Sequence, residues 1–365
     1  MEMTRRQLVA TAATAAVGGT FAGCLGDTGG GGDDAGTTAQ ASFFVFGTLA
    51  ERVAGDAAEA KLLVPTGQHG HGWEPGPSVR EDVQTADLLV HGPPDFQPWV
   101  DDVRGELDAD GADVHAVDVT ADVDLLEAGS SHDRGDEHDD SHDEEHGDQH
   151  SDEEHDEHDE HGDEHGDEHD EHGDEHGDEH SDGHAHGAHD PHFWMDPLRL
   201  RDAVDAVRAG FVAVDDGNAD AYGENADAFR EDLAALHDDL RATVEDADRD
   251  VLLVAGHDSF QYLGARYGVQ VEALTGIAPD DQPTTRDLAH AQSVVDEHGL
   301  EYVCADPLES QRAAEKLLEE TDLEAVLPLT AMPGVTDEWR DGGWGYLDVM
   351  ERVNLPTLER ALEAQ

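Results

Sequence analysis

Short apolar runs alternate with segments of helical spacing along most of the chain. Ser42-Phe43-Phe44-Val45-Phe46 predicts a buried strand, Leu49 to Ala60 a helix, and Lys61 to Val64 a second strand. A helix around Val79 to Ala86 leads into a third strand, Asp87 to Val90, and Val114 to Val119 gives a fourth. Leu198 to Val214 has helical spacing. Ala219 to about Val244 carries a long amphipathic pattern through Tyr222, Ala226, Phe229, Leu233, Leu236 and Leu240, at steps of three and four. A second alternation follows: strands at Val251–Val254, Val269–Ala273, Tyr302–Ala305 and Ala325–Leu329, with helices near Arg286–His298 and Ser310–Glu319. Strands alternating with helices imply α/β layers around a mostly parallel sheet. The expected architecture is therefore α/β, with two lobes that each hold a mostly parallel sheet flanked by helices. An N-terminal lobe (42–197) and a C-terminal lobe (249–365) are joined by a long rigid helical connector (198–248), which permits only limited hinge motion.

Two stretches break this pattern. Between His132 and His189 stand 16 of the 25 histidines, in repeats such as Gly-Asp-Glu-His, with no apolar residue but alanines near the end. Such a run has nothing to bury and reads as a disordered surface loop between ordered segments. The other stretch is the N-terminus. Thr4-Arg5-Arg6-Gln7-Leu8-Val9 precedes a short, mildly apolar stretch to Phe21, too short to span a membrane and suited to an export signal. The paired arginines resemble a twin-arginine signal, and Phe21-Ala22-Gly23-Cys24 resembles a lipobox. Residues 1–23 are thus expected to be removed and Cys24 lipidated, leaving 24–41, rich in Gly, Asp and Thr, as a flexible tether to the outer face of the cell membrane.

Charge narrows the partners. The chain has 88 acidic against 20 basic side chains and a net charge of -68, and its only lysines are Lys61 and Lys316. So negative a surface repels the phosphate backbone, which excludes nucleic acid. The acidity extends well beyond the histidine-rich run, and with so little lysine it suits concentrated salt, where screening is short-ranged. A halophilic, archaeal source is expected. The second cysteine, Cys304, lies in an apolar strand and reads as a small buried hydrophobe.

Nine histidines remain outside the run, and three of them follow or adjoin apolar elements. They are His71 in Gly70-His71-Gly72-Trp73-Glu74-Pro75-Gly76-Pro77-Ser78, His192 in Asp190-Pro191-His192-Phe193-Trp194-Met195-Asp196-Pro197, and His257 in Gly256-His257-Asp258-Ser259-Phe260-Gln261-Tyr262. Ligands of α/β folds bind beyond the carboxyl ends of the strands, and imidazole is the commonest zinc ligand. One loop histidine says little. Three, in an exported chain with a histidine-rich loop, point to metal.

These three segments resemble, in order, those of the zinc- and manganese-binding solute-binding proteins of ABC importers, and the likeness runs from about Ser42 to Gln365. Trp344-Gly345-Tyr346, Met350 and Asn354-Leu355-Pro356 fit as well. The resemblance implies a metal site in the cleft between lobes, with His71, His192 and His257 as ligands. It further implies an ABC permease and its ATPase subunit as partners, and a monomer that works outside the cytoplasm. The family's fourth ligand, an aspartate of a Leu-Asp-Pro-Leu-like segment, has no counterpart in Val326-Leu327-Pro328-Leu329; water, Asp337 or His69 is left for that position.

Manganese members carry glutamate at the third position, so His257 favours Zn²⁺ over the harder Mn²⁺. Many weak imidazole and carboxylate sites in the long run would raise the local metal concentration beside the cleft. The expected function is Zn²⁺ capture for a membrane permease, and not catalysis. A manganese- or iron-binding homologue and a surface metal store or adhesin are the alternatives. A zinc hydrolase is a minor one, with Glu74 as the nearest general base, although Pro75 and Pro77 beside it suggest a structural turn.

Overall fold

The computed structural model describes residues 36–70, 72–128, 189–279 and 281–364. The export signal, Cys24, most of the tether, the histidine-rich run and His71 itself lie outside these residues. The described residues form one compact unit.

The first sheet is built from β1 (Thr38–Ala41), β2 (Glu59–Leu62), β3 (Leu88–His91) and β4 (His115–Asp118), all parallel, in the order β2-β1-β3-β4. Its helices are α1 (Phe44–Ala54), α2 (Pro77–Gln84) and α3 (Pro98–Asp110). Then come the two long helices, α4 (Pro197–Val214) and α5 (Ala219–Glu245). The second sheet contains β5 (Val251–His257), β6 (Gln270–Thr275), β7 (Tyr302–Ala305) and β8 (Ala325–Pro328), again parallel, in the order β6-β5-β7-β8. Between them run α6 (Gln261–Tyr267), α7 (Thr285–His298) and α8 (Arg312–Glu320), and the chain closes with α9 (Asp337–Gly342), α10 (Tyr346–Val349) and α11 (Leu355–Ala361). The two-lobed α/β architecture is as expected. Among the described residues no helix is long and apolar enough to cross a membrane.

One expected strand is a helix. Phe44-Val45-Phe46 opens α1, and the strand before it is Thr38–Ala41, inside the stretch read as tether. A run of four or five apolar residues cannot distinguish a buried strand from a buried helix. Here α1 is packed on nearly every side, burying Phe44, Val45, Phe46, Leu49, Ala50 and Val53, so its polar face is too narrow to betray the period. Conversely, β1 is Thr-Ala-Gln-Ala, whose small buried side chains, Ala39 and Ala41, carry little hydrophobic signal. The helix α3 was not anticipated either, although Trp99, Val100, Val103 and Leu107 form its buried stripe.

The largest of three hydrophobic clusters among the described residues runs through both lobes. It joins Phe43, Phe46 and Leu88 of the first to Phe211, Phe229 and Leu236 of α4 and α5, and on to Leu252, Phe260 and Leu327 of the second. The last helices return to the first lobe: the Tyr346 N–H donates to Thr48 Oγ1 at 3.2 Å and the Tyr346 hydroxyl to the Trp194 carbonyl at 2.7 Å. The lobes therefore share a packed interface as well as a connector.

Candidate metal centre

Asp190-Pro191-His192-Phe193-Trp194-Met195-Asp196 positions one imidazole by using both aspartates. Asp190 is fully buried, and its Oδ1 accepts from the His192 backbone N–H (2.9 Å) and pairs with His192 Nδ1 (2.8 Å), fixing both the turn and the ring. A short 3-10 turn, Phe193–Met195, then sinks its side chains into the core. Asp196, 1% exposed, caps α4 by accepting from Leu198 N–H, with Pro197 in the first turn. The same carboxylate takes Arg266 of α6 (2.7 Å) and Arg199 (3.3 Å), tying this segment to the second lobe. Tyr262 completes the tie: its hydroxyl donates to the Asp190 carbonyl (2.6 Å) and accepts from Leu126 N–H (2.8 Å). Glu127 and His189 form a bridge beside it, so the described residues on either side of the histidine-rich run meet three residues from His192.

The second imidazole ends the central strand of the second sheet. His257 is buried, and its Nε2 lies 3.4 Å from His192 Nε2. Two nitrogens at ~2.0–2.1 Å from one tetrahedral zinc are ~3.3 Å apart, so these rings are spaced as two ligands of one ion. His257 Nδ1 meets Glu309 Oε1 at 3.0 Å, mirroring Asp190 on His192. A carboxylate on the far nitrogen orients a ligating imidazole and raises its basicity. Gly256 permits the approach, since a Cβ there would stand 2.9 Å from Glu309 Oε2.

Glu309 also reaches His69, whose Nε2 is 3.5 Å from the same Oε1, and the His69 and His257 ring centres are 6.4 Å apart. The loop bearing His69 is anchored on the second lobe by Gly67 N–H to Val335 carbonyl (2.8 Å) and Gly70 N–H to Pro333 carbonyl (2.6 Å). Any side chain at Gly334 would collide with the Gln68 carbonyl.

Electrostatics suits a cation. Burial holds His192 below the usual imidazole value despite the Asp190 carboxylate, so its ring stays neutral and able to ligate. Burial pushes Glu309 up, but hydrogen bonds from His257 and His69 outweigh it and bring it down to about 2. Asp306, buried beside it, is pushed up to about 6 by desolvation and by the Glu309 carboxylate.

Of the expected ligands, the structure brings His192 and His257 together, with His69 one carboxylate away. Asp337 is not at the site: it is 82% exposed at the start of α9 and paired with Arg340 at 2.9 Å. Nor does β8 offer a donor, because Leu327 is buried in the core. Glu309 was missed. Its signal was available in Ala305-Asp306-Pro307-Leu308-Glu309, carboxylates directly beyond a strand that pairs with β5. Among the described residues no three His, Cys, Asp or Glu side chains close on a common point.

Comparison with known proteins gives a consistent picture. The family model of the periplasmic zinc-uptake complex component A, ZnuA, matches residues 40–361. The high-affinity zinc uptake system protein ZnuA of Bacillus subtilis is 27% identical over 323 residues, covering 88% of this chain and 86% of that protein. The zinc-binding lipoprotein AdcA of Streptococcus pneumoniae is also 27% identical, over 89% of this chain, which spans only 55% of that longer protein. The fold is similar to the Zn(II)-bound ZnuA-like domain of S. pneumoniae AdcA (TM-score 0.64, 22% identity, 90% of this chain and 99% of that one). It is likewise similar to the metal-dependent lipoprotein YcdH of B. subtilis (TM-score 0.64, 23% identity, 89% and 99%).

Proposed function

The chain belongs to the family of periplasmic zinc-uptake component A proteins, and on that premise we propose that it captures Zn²⁺ outside the cytoplasm and delivers it to an ABC permease driven by its ATPase subunit. The observation that carries the reading is the pair of buried Nε2 atoms of His192 and His257, 3.4 Å apart, each ring held from behind by a carboxylate. These two rings supply half of a tetrahedral nitrogen-rich set, which suits zinc better than manganese. His71 is the third ligand of this proposal, and His69 or water completes the shell.

Because a shared core and the ties through Asp196, Tyr262 and Tyr346 join the lobes, capture and release fall to the loops around His69 and Glu309 and not to wide opening of a hinge. The histidine-rich run, which follows Glu127 and ends at His189, collects metal and raises its concentration at the cleft. Export by the twin-arginine route, a lipid on Cys24 and a monomeric state complete the proposal. The acidic composition fits life in concentrated salt.

The test is a zinc and manganese titration of the chain lacking residues 132–188, which keeps His189 and its bridge to Glu127. One tight zinc per molecule, strongly preferred over manganese and lost in His257→Ala, is expected. Equal affinity for the two metals, or undiminished zinc in that variant, refutes the assignment.

A further inference from the structure

An ion bound for the imidazole pair first crosses the cleft in front of it. That cleft has a volume of about 570 Å³, room for an ion that still carries water, since one water's share of space is about 30 Å³. His69, His257 and Glu309 are among its lining residues, while His192, 1% exposed, lies behind them.

The orientation of the His257 ring gives its two neighbours different parts. Its Nε2 faces His192 Nε2 at 3.4 Å, and its Nδ1 faces Glu309 Oε1 at 3.0 Å. His69 Nε2 meets that same Glu309 oxygen at 3.5 Å. His69 therefore stands on the Nδ1 side of His257 with the carboxylate between the two rings, whereas the buried pair converges at the other nitrogen.

An imidazole nitrogen and a carboxylate oxygen on one tetrahedral zinc, at ~2.0–2.2 Å each, are ~3.4 Å apart. His69 and Glu309 are thus spaced as two donors of an ion of their own. Both are partly exposed, with 28% and 19% of their side chains accessible. The second oxygen of Glu309 stands over the bare Gly256, where a Cβ would come within 2.9 Å of it. Two donors supply about half the binding of a four-ligand site, with water in the other positions, so an ion held there is readily given up.

From this geometry we infer that His69 and Glu309 form an outer zinc contact, on which the hydrated ion lands before it passes to His192 and His257. This rests on the zinc-capture reading and takes the case in which water, and not His69, completes the final shell. In the transfer the ion exchanges His69 Nε2 and bound water for the two Nε2 atoms behind. A donor that touches the ion only on the way lowers the barrier in both directions and leaves the end states alone.

Stopped-flow mixing of the metal-free full chain with buffered free zinc tests this. Tryptophan fluorescence reports arrival, since the Trp194 and His192 ring centres are 5.4 Å apart. His257→Ala, which removes the destination, should need at least a hundredfold more zinc for the same signal. His69→Ala should slow entry about tenfold, the scale of one lost charge-assisted contact. It should slow release into excess chelator by the same factor. His69→Cys, which offers a thiolate donor at the same position, should restore much of both rates. Backbone bonds at Gly67 and Gly70 hold the loop, so these variants keep its course. His290→Ala, which removes an exposed imidazole 3.7 Å from Glu272, should leave both rates as in wild type. Faster release with unchanged entry in His69→Ala would put His69 in the final shell, overturning the inference while zinc capture stands. Unchanged rates overturn it too. So does slowing that His69→Cys fails to relieve, because the loop and not the donor would then set the pace. A wild type with no zinc-dependent signal at any concentration sinks the capture reading and this inference together.

Discussion

The two sheets have the same strand order and the same parallel sense, yet their carboxyl ends serve opposite purposes. In the first lobe the end is plugged. Phe43 sits 5.1 Å from both Phe96 and Trp194, centre to centre, with Phe46 and Phe193 packed around them. In the second lobe the corresponding end is open, with His257 at the tip of β5, Glu309 beyond β7 and the 570 Å³ cleft in front. The first lobe contributes its imidazole from a side segment, the turn at 190–196, and not from a strand. Topology thus marks two equivalent places for a ligand. Side-chain volume decides which of them is used: rings fill one and the small Gly256 leaves room at the other.

The most severe way to break this arrangement is through the bond between its halves. Asp196→Ala strips Arg199 and Arg266 of their buried partner and removes the α4 cap. Breaking a buried pair from one side costs ~3–5 kcal/mol. Arg266 is 34% exposed, so water recovers part of that and about 3 kcal/mol is expected in urea unfolding of the metal-free protein. A loss below about 1 kcal/mol would mean that the lobes do not depend on this tie.

Next is the contrast between the ends themselves. Four-ligand zinc sites bind with ~10–16 kcal/mol, so each ligand carries about 3 kcal/mol. His257→Ala should weaken the site's zinc by at least a hundredfold in a competition titration with a coloured chelator. His91, which ends β3 in the plugged lobe, makes the matched control: His91→Ala should leave zinc affinity unchanged. Equal losses in the two variants would show that the plugged end also touches the metal. Smaller still is the effect of the carboxylates behind the rings, where loss of such a partner costs ~10–100-fold in affinity. Asp190→Asn, fully buried, should fall near the upper end. Glu309→Gln, on the open side, where the neutral amide still accepts a hydrogen bond, should fall near the lower end.

How much of this could be read in the chain follows the same division. The second lobe was legible because its strands are runs of Val, Leu and Ala bounded by Gly and charged residues, as in Val251–Val254 and Tyr302–Ala305. The first was misread where side-chain size and period disagree: alanines formed the strand and phenylalanines the helix. His192 and His257 were found because histidine in a Gly- or Pro-bounded turn stands out. Glu309 was not, since among 88 carboxylates nothing local distinguishes the one that folds onto an imidazole. Asp337 was proposed from proximity in sequence and is claimed instead by Arg340 at the surface.

The finest test uses pH, at the plugged end. His91 is 1% exposed, its Nδ1 lies 2.7 Å from the Gly92 carbonyl, and its Nε2 is buried without a partner among the described residues. Desolvation lowers its pKa below the usual value of about 6.5; Arg104 acts in the same direction, while the Gly92 carbonyl, Asp118 and Asp101 oppose. A group that binds its proton less readily when folded stabilises the native state above its unfolded pKa. That stability is lost as the pH falls from about 6.5 toward the lowered folded value, because only the unfolded chain then takes up the proton. One such group contributes a slope of at most ~1.4 kcal/mol per pH unit. His192 is shifted in the same sense, so both slopes should appear in the metal-free protein. His91→Gln should remove one of them and leave the other. Saturating zinc, which occupies His192 in the neutral form, should steepen the loss that remains, since protons then compete with the metal as well. A slope unchanged by His91→Gln would mean that water reaches this histidine, and the first lobe's end would not be the sealed counterpart of the second.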